Sequence, residues 1–314
     1  MTLRSMYPAE SMETLCALFG RTRQAFYKWR PSDFSQSAME EIIIAEVQQI
    51  RQTAPGIGSS TLYPLLLNIF GHENMLGRDR FYALMKERGL QLKKRRSYRT
   101  TNSYHRYHKW KNIAKDMVLT RPNELWVSDI TYIKLVDGVV YLHLITDAFS
   151  RKIVGWKLAS SLEARHTLDA FDMAAKEAAH EGVDFSHLTH HSDRGVQYCC
   201  NLYVDRLLSL GVSISMTEDY KPTDNAKAER VNGIIKQLFL DNQIFSELSE
   251  VYYALSRGIP FYNDVRPHSS ISHEPPSRIH SGEVQNPRQM WNRRTVSPYT
   301  AYDMESTQIT GKTI

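Results

Sequence analysis

Cysteines and long apolar runs are both scarce in this chain. Of its 314 residues only Cys16, Cys199 and Cys200 are cysteines. Two of them are adjacent and none forms a paired spacing with histidine, so the sequence predicts neither a disulfide framework nor a zinc finger. No apolar run reaches the length of a membrane span, and the N-terminus, with Arg4 and Glu10, lacks the apolar core of a signal peptide. We therefore expect a soluble, cytoplasmic protein without a membrane partner.

Acidic residues are scarce in the first part of the chain. Residues 1–120 carry 19 Lys and Arg against 10 Asp and Glu, whereas the remainder carries 20 against 24. Residues 86–115 contain 11 basic side chains and one acidic side chain, with aromatic residues between them. This pattern favours nucleic acid as a partner, although a solvated helix face is the alternative. The candidate phosphate contacts are Lys93, Lys94, Arg95 and Arg96.

Apolar residues make up 42 % of the chain, enough for more than one core. Their periodicity is helical before Arg121 and Pro122, and strand-like after them. The sequence therefore predicts a boundary at this point. The predicted domains are a helix-turn-helix-like segment at 1–35, a second helical DNA-binding module with a basic linker at 36–120, an α/β catalytic domain at 121–285 and a polar tail at 286–314.

The segment 12–30 has the pattern of two short helices separated by Gly20, with Thr22 able to cap the second. In a helix-turn-helix, Arg23, Gln24 and Lys28 would lie on the exposed side of the recognition helix and contact DNA. A helical hairpin without DNA-binding function would show the same pattern. A second helical unit follows, with helices at 42–50, near Ser60 and at 78–88, and a plain helical bundle is its alternative reading.

From Leu125 onwards, alternating and β-branched runs predict strands. Three strands in succession, followed by strands that alternate with helices, predict a mixed five-stranded sheet with flanking helices that resembles the ribonuclease H fold. The predicted strands are 125–135, 138–147, 152–158, 188–191 and 212–216, and the predicted helices are 162–179 and 203–210.

Three acidic residues stand where burial of a carboxylate would be costly. Asp129 lies midway along the first predicted strand, Asp193 follows the fourth, and Glu229 lies on the next long helix. A carboxylate inside an apolar strand must be paired, protonated or bound to a metal. The intervals are 63 residues between the two aspartates and 35 between Asp193 and Glu229.

Three ordered motifs carry a family resemblance. They are Asp129-Ile130-Thr131-Tyr132, His191-Ser192-Asp193-Arg194-Gly195, and Glu229-Arg230-Val231-Asn232 with Lys236, and further matches occur at 262–263 and 266–268. The chain resembles the second-frame transposases of a large insertion-sequence family, which belong to the DDE superfamily and are related to retroviral integrases.

The resemblance implies that Asp129, Asp193 and Glu229 are catalytic and bind two Mg²⁺ ions, which Mn²⁺ could replace. It implies cleavage and transfer of DNA strands, with double-stranded DNA of the element's terminal repeats and of the target as partners. It also implies a homo-oligomer on DNA, association with the nucleoid, and an upstream-frame partner protein with a helix-turn-helix. A ribonuclease-H-like nuclease without strand transfer and a DNA-binding regulator without catalysis are the alternatives.

Helical spacing adds an argument that is independent of the family. Glu229, Asn232 and Lys236 fall on one stripe of the predicted helix, and the opposite stripe is apolar. Glu229 is therefore expected to face the site, with Asn232 and Lys236 as DNA contacts on the same face. A salt bridge to Glu229 is the alternative for Lys236.

Five other polar residues could be mistaken for metal ligands or DNA contacts. Asp147 ends the second predicted strand and is assigned to a turn or to a salt bridge with Arg151. His190 and His191 are adjacent on a strand and must face opposite sides, so they cannot chelate one metal ion. Arg266 and His268 follow an amphipathic helix and could either bind DNA or cap that helix.

Overall fold

The computed structural model describes residues 10–18, 20, 22, 24, 32–92, 106–218 and 226–285. These residues form two compact units. The first comprises the described residues within Met1–Ile50 and Leu66–Leu90, and the second those within Arg51–Leu65 and Gln91–Ile314. No helix in this part of the chain is long and apolar enough to cross a membrane.

Among the described residues, four helices precede the sheet: α1 at Met12–Ala17, α2 at Ser32–Thr53, α3 at Ser59–Asn74 and α4 at Arg78–Glu87. Helix α1 begins after Ser11, whose Oγ accepts a hydrogen bond of 3.1 Å from the Thr14 amide. Gly20 follows with a positive φ of 62°, as expected for a residue that breaks a helix. The predicted second helix of the 12–30 segment lies mostly outside the described residues, which include only Thr22 and Gln24 there.

Helices α2 to α4 confirm the three helices that the sequence predicted between residues 42 and 88. Ile43, Val47 and Phe81 are fully buried, as their spacing on α2 and α4 requires. Arg80 on α4 forms ion pairs with Glu40 at 2.8 Å and with Glu87 at 3.0 Å. Burial of apolar side chains and a small network of ion pairs therefore both stabilise the first unit.

The second unit is built on a five-stranded sheet of order β3-β2-β1-β4-β5. Strand β1 pairs antiparallel with β2 and parallel with β4, while β2 and β3 are antiparallel and β4 and β5 are parallel. The strands are β1 at Leu125–Leu135, β2 at Gly138–Asp147, β3 at Ile153–Ala159, β4 at Thr189–Ser192 and β5 at Ser213–Met216. The mixed sheet with flanking helices confirms the predicted fold class, and each strand lies within one residue of its predicted limits.

Helices cover both faces of this sheet. On one face, Trp126 of β1 packs in a core with Phe171 and Tyr203 of the helices that connect the strands. On the other face, Val127 of β1 packs with Ala228 of the helix after β5. Because alternate residues of a strand face opposite sides, Asp129 lies on the face of Val127 and Ala228. The helices are α5 at Ala164–His180, α6 at Val196–Cys199, α7 at Asn201–Ser209, α8 at Ala226–Ile235, α9 at Leu248–Pro260 and α10 at Pro276–His280.

Helix α8 continues as a π-helical turn, Lys236–Leu240. The segment 51–65 packs against this turn, where the Gly56 amide donates a hydrogen bond of 2.9 Å to the Leu238 carbonyl. A Cβ atom at Gly56 would lie 1.7 Å from the Gln237 carbonyl oxygen, so only glycine permits the approach. The segment therefore anchors the helix that carries Glu229.

Candidate active site

Asp129 lies in the middle of β1, where hydrogen bonds hold both of its carboxylate oxygens. Oδ1 accepts a hydrogen bond of 2.9 Å from the Ile130 amide, and Oδ2 accepts one of 2.6 Å from Nδ2 of Asn232 on α8. The side chain is half-buried. The carboxylate is therefore fixed in orientation before any ligand arrives.

Asp193 directly follows β4, the parallel neighbour of β1. Trp126 pairs with His190 and Val127 with His191, and continuing that register by two residues brings Asp193 level with Asp129. Adjacent strands lie roughly 4.8 Å apart. Oδ1 of Asp193 accepts a hydrogen bond of 2.9 Å from the Gly195 amide, which closes a tight turn before α6. The parallel pairing thus places two carboxylates side by side at one point of the sheet.

The electrostatics of Asp129 reflect this crowding. Burial raises the pKa of its carboxyl to about 7, and the negative charges of Asp193 and Glu229 act in the same direction. The hydrogen bonds from Asn232 and Ile130 oppose the rise but do not cancel it. A carboxylate held beside like charges favours a cation in its vicinity.

Glu229 lies exposed on the first turn of α8, and its charge acts on Asp129 more weakly than that of Asp193. Within the described residues, no three side chains of His, Cys, Asp or Glu are grouped closely enough to hold a metal ion together. The arrangement is thus an aspartate pair with a third carboxylate farther away. Its all-oxygen, acidic donor set is the kind that hard divalent cations prefer.

Two predicted DNA contacts on α8 have protein partners in this structure. Asn232 is buried and donates to Asp129, and its Oδ1 accepts no hydrogen bond from a described residue. Lys236 Nζ donates a hydrogen bond of 3.1 Å to the Tyr132 carbonyl and lies 4.8 Å from the centre of the Tyr132 ring. Lys236 is therefore bound to the strand that carries Asp129.

The other predicted DNA contacts divide between described and undescribed residues. Gln24 is exposed, as a residue that contacts DNA must be. The remaining ones lie outside the described residues, so their assignment stays a prediction. They are Arg23, Lys28, Lys93, Lys94, Arg95 and Arg96.

Asp147 closes the turn after β2, as predicted. Its Oδ1 accepts hydrogen bonds from the Ser150 amide and hydroxyl at 2.6 and 2.7 Å, and its Oδ2 accepts one of 2.8 Å from the Asn123 amide. His190 and His191 face different sides of the sheet, as predicted. The ring of His190 is hydrogen-bonded to the Tyr203 hydroxyl and that of His191 to the Ser215 hydroxyl. None of these residues belongs to the aspartate pair.

Sequence reasoning missed the groups that hold the two aspartates. The Ile130 and Gly195 amides are backbone groups, which a search for polar side chains does not detect. The same holds for the Tyr132 carbonyl, which accepts the hydrogen bond from Lys236. The contact of Gly195 with Asp193 could have been predicted, because a glycine two residues after an aspartate favours a turn in which the carboxylate accepts the glycine amide.

Comparison with family models agrees with this geometry. A model described as "Integrase core domain" matches residues 120–222, and a second model with the same description matches residues 210–276. Together they span the sheet, both aspartates and helices α8 and α9. The fold and the site define an integrase core.

Among known proteins, the "Insertion element IS600 uncharacterized 31 kDa protein" of Shigella sonnei is 32 % identical over 271 residues, which cover 84 % of this chain and 96 % of that protein. The transposase of IS629 from Shigella sonnei is 34 % identical over 165 residues, covering 52 % of this chain and 54 % of that one. The "Putative transposase for insertion sequence element IS986/IS6110" of Mycobacterium tuberculosis is 34 % identical over 160 residues, which cover 50 % of this chain and 58 % of that protein. The matches to these two transposases thus span little more than half of their length. This chain belongs to the family of insertion-sequence transposases with an integrase core.

Solved structures show distant likeness. The HTLV-2 integrase catalytic core domain in complex with magnesium shares 20 % identity and a TM-score of 0.39, covering 51 % of this chain and 97 % of that chain. The intasome of simian T-cell lymphotropic virus with a PP2A regulatory subunit gives 18 % identity and a TM-score of 0.45, covering 77 % of each chain.

Proposed function

We propose that this protein is a metal-dependent DNA transposase, which cuts DNA at the ends of a mobile element and joins the ends to a target. Asp129, Asp193 and Glu229 are the proposed catalytic residues. The observation that carries the proposal is the parallel register of β1 and β4, which brings Asp193 level with Asp129. The raised pKa of Asp129, caused by burial and by the charges of the two other carboxylates, agrees with it. Family membership supplies the reaction that such a site performs.

The proposed cofactor is a pair of Mg²⁺ ions held by these three carboxylates, with Mn²⁺ as a substitute. Such ions activate water at neutral pH and stabilise the leaving 3′-oxygen. The donor set fits, because the aspartate pair offers only oxygen atoms and carries like charges that a cation would neutralise. Glu229, exposed on the first turn of α8, is the third ligand in this proposal.

The residues around the aspartates prepare the site for this chemistry. Asn232 and the Ile130 amide orient the carboxylate of Asp129, and the Gly195 amide orients that of Asp193. Prior orientation of ligands lowers the cost of assembling the site. Lys236, already beside β1 through Tyr132, is placed to contact DNA that enters next to Asp129.

The proposed partners are double-stranded DNA of the terminal repeats and of the target. A helix-turn-helix with Arg23, Gln24 and Lys28 would read base edges, while the basic segment 93–96 would bind phosphates. One site handles one strand at a time, so two ends require at least a dimer on DNA. The domain limits at 35, 120 and 285, the upstream-frame partner and association with the nucleoid belong to the same proposal.

The direct test incubates the protein with Mg²⁺ and a duplex that carries the terminal repeat of its own element, followed by mapping of nicks and joined strands. Site-specific nicks at the repeat and joined products are expected. Nicks at random positions without joining would favour the nuclease alternative. Binding without any cleavage in Mg²⁺ or Mn²⁺ would favour the regulator and overturn the proposal.

A further inference from the structure

Three arginines of the second unit converge behind the first turn of α8. Arg151 lies in the turn between β2 and β3, and Arg230 lies on α8 next to Glu229. Arg266 follows a second π-helical turn, Phe261–Val265, which continues α9. We call them the arginine cluster. Burial, together with the charges of all three arginines, lowers the pKa of His268 to about 3. The same three charges act on the hydroxyl of buried Tyr262. The cluster is therefore a concentrated positive region.

Arg266 is the least satisfied member of this cluster. Its guanidinium lies 5.7 Å from the centre of the Tyr262 ring. Nε and Nη1 are buried and have no hydrogen-bond partner among the described residues. Guanidinium groups do not deprotonate in proteins, and a buried charged donor without an acceptor destabilises the fold. An acceptor is thus required at this position.

The carboxylates nearby do not supply that acceptor. Asp264, two residues away, accepts a hydrogen bond from the Ser277 hydroxyl. Asp147 acts electrostatically on Arg151, but its Oδ1 accepts hydrogen bonds from the turn that it closes and its Oδ2 accepts one from the backbone amide of Asn123. Across the described part of the chain, no carboxylate forms an ion pair with Arg266. Arg266 therefore carries a positive charge and two buried donors that no described carboxylate compensates.

We propose that the arginine cluster binds a phosphate group of the DNA backbone, next to the site where the strand is cut. This inference rests on the proposed function for the identity of the ligand. Planar guanidinium groups donate paired hydrogen bonds that match the oxygens of a phosphate. Arg230 is exposed and adjacent in sequence to Glu229, so a phosphate held there lies beside the third catalytic carboxylate. Arg266 binds it from the buried side.

The alternative is that Arg266 is a structural residue whose stem packs on Tyr262. Arg266→Met separates the two, because methionine retains an unbranched apolar stem and removes the charge. Arg257→Met is the matched control, since Arg257 lies 5.6 Å from the ring of Tyr253 in the same four-residue relationship but is exposed. Arg230→Met is the second variant, at an exposed position.

Thermal unfolding of the full chain is measured with inorganic phosphate against chloride at constant ionic strength. Phosphate should raise the Tm of the wild type and of Arg257→Met, and the increase should be lost in Arg266→Met and Arg230→Met. An equal increase in all four proteins would overturn the proposal. If Arg266→Met does not fold, the result for Arg230→Met decides.

Binding of a metal-free random duplex is then measured over a salt series. Loss of one phosphate contact should flatten the slope of log K against log salt by about 0.9 in Arg266→Met and leave Arg257→Met unchanged. Phosphate-dependent stabilisation with an unchanged slope would show a small-anion site and overturn the assignment to DNA. Neither measurement requires cleavage. A result against phosphate binding by the cluster can therefore be distinguished from a result against the proposed transposase activity.

Discussion

The amide of Asn232 donates a hydrogen bond of 2.6 Å to the carboxylate of Asp129, a residue 103 positions earlier in the chain. The contact joins the middle of β1 to the helix that carries Glu229. Asn232 is buried and lies three residues after Glu229 on α8. It therefore fixes Asp129 and the position of α8 with one interaction, whether or not it also contacts DNA.

Asn232→Ala should raise the Mg²⁺ concentration needed for half-maximal cleavage by about 10- to 100-fold, because it removes the group that orients a metal ligand. Cleavage rates across a Mg²⁺ titration measure the effect. Gln243→Ala, which removes an amide bonded to the Phe239 carbonyl, is the control and should titrate like the wild type. Equal Mg²⁺ dependence of the two variants would show that Asn232 does not orient a metal ligand and contributes only to packing.

Asp129→Asn, Asp193→Asn and Glu229→Gln should each abolish cleavage and joining while DNA binding is preserved, because a metal ligand is lost and the basic segments are not. Asp137→Asn, in the exposed turn before β2, is the control. Without metal, Asp129→Asn should also raise the free energy of unfolding, on the order of 1 kcal/mol, because it removes repulsion from Asp193. Normal cleavage by any of the three variants would remove that residue from the proposed site.

Gly195→Ala should impair catalysis more than folding. A Cβ atom there would lie 3.0 Å from Oδ1 of Asp193 and from Oε1 of Gln197. The side-chain ends can move, so we expect a loss of roughly 1 kcal/mol or less in unfolding free energy but a marked fall in kcat. Gly233→Ala, at a position with open space around it, serves as the reference. If the variant keeps the kcat of the wild type, catalysis does not depend on the orientation that the Gly195 turn gives to Asp193.

His143 should make the protein less stable at acidic pH. It is fully buried beside Thr167, and burial together with the charge of His166 lowers its pKa to about 4. The unfolded chain binds the proton from about pH 6.5 downwards and the folded chain only near pH 4, so stability falls between these values and is fully present above pH 6.5. The contribution is at most about 3 kcal/mol.

Urea unfolding at pH 7.5 and pH 4.5 tests this expectation with His143→Gln. The variant should lose less stability than the wild type over that interval, and His187→Gln, an exposed position, should lose as much as the wild type. Parallel losses in all three proteins would assign the acid sensitivity to other groups.

The segment 93–96 should contribute affinity and not specificity. Replacing Lys93, Lys94, Arg95 and Arg96 by Ala should flatten the salt dependence of duplex binding by about 0.9 log units for each lost phosphate contact, with little change in preference for the terminal repeat. Replacing Arg23, Gln24 and Lys28 should mainly reduce that preference. Titrations on specific and random duplexes at several salt concentrations separate the two effects. An unchanged slope in the quadruple variant would identify the segment as a solvated face.

The sequence by itself predicted the elements of this protein and the three acidic residues. Alternation along 125–135 and helical spacing after Ala226 are local properties, since they reflect which faces of a strand or helix are apolar. The intervals between Asp129, Asp193 and Glu229 are likewise visible in one dimension. For the same reason, the turn at Asp147 and the opposite orientations of His190 and His191 were predictable.

Only the tertiary structure decided what those residues contact. Asp129 meets Asp193 because β1 and β4 pair in parallel, a pairing between segments more than sixty residues apart. It meets Asn232 because α8 crosses that face of the sheet, where Gly56 allows another segment to anchor the helix. Lys236 binds the Tyr132 carbonyl and Arg266 comes near Arg230 because the fold brings distant segments together. The energy of such contacts depends on distance, burial and neighbouring charge, which the spacing of residues along the chain does not contain.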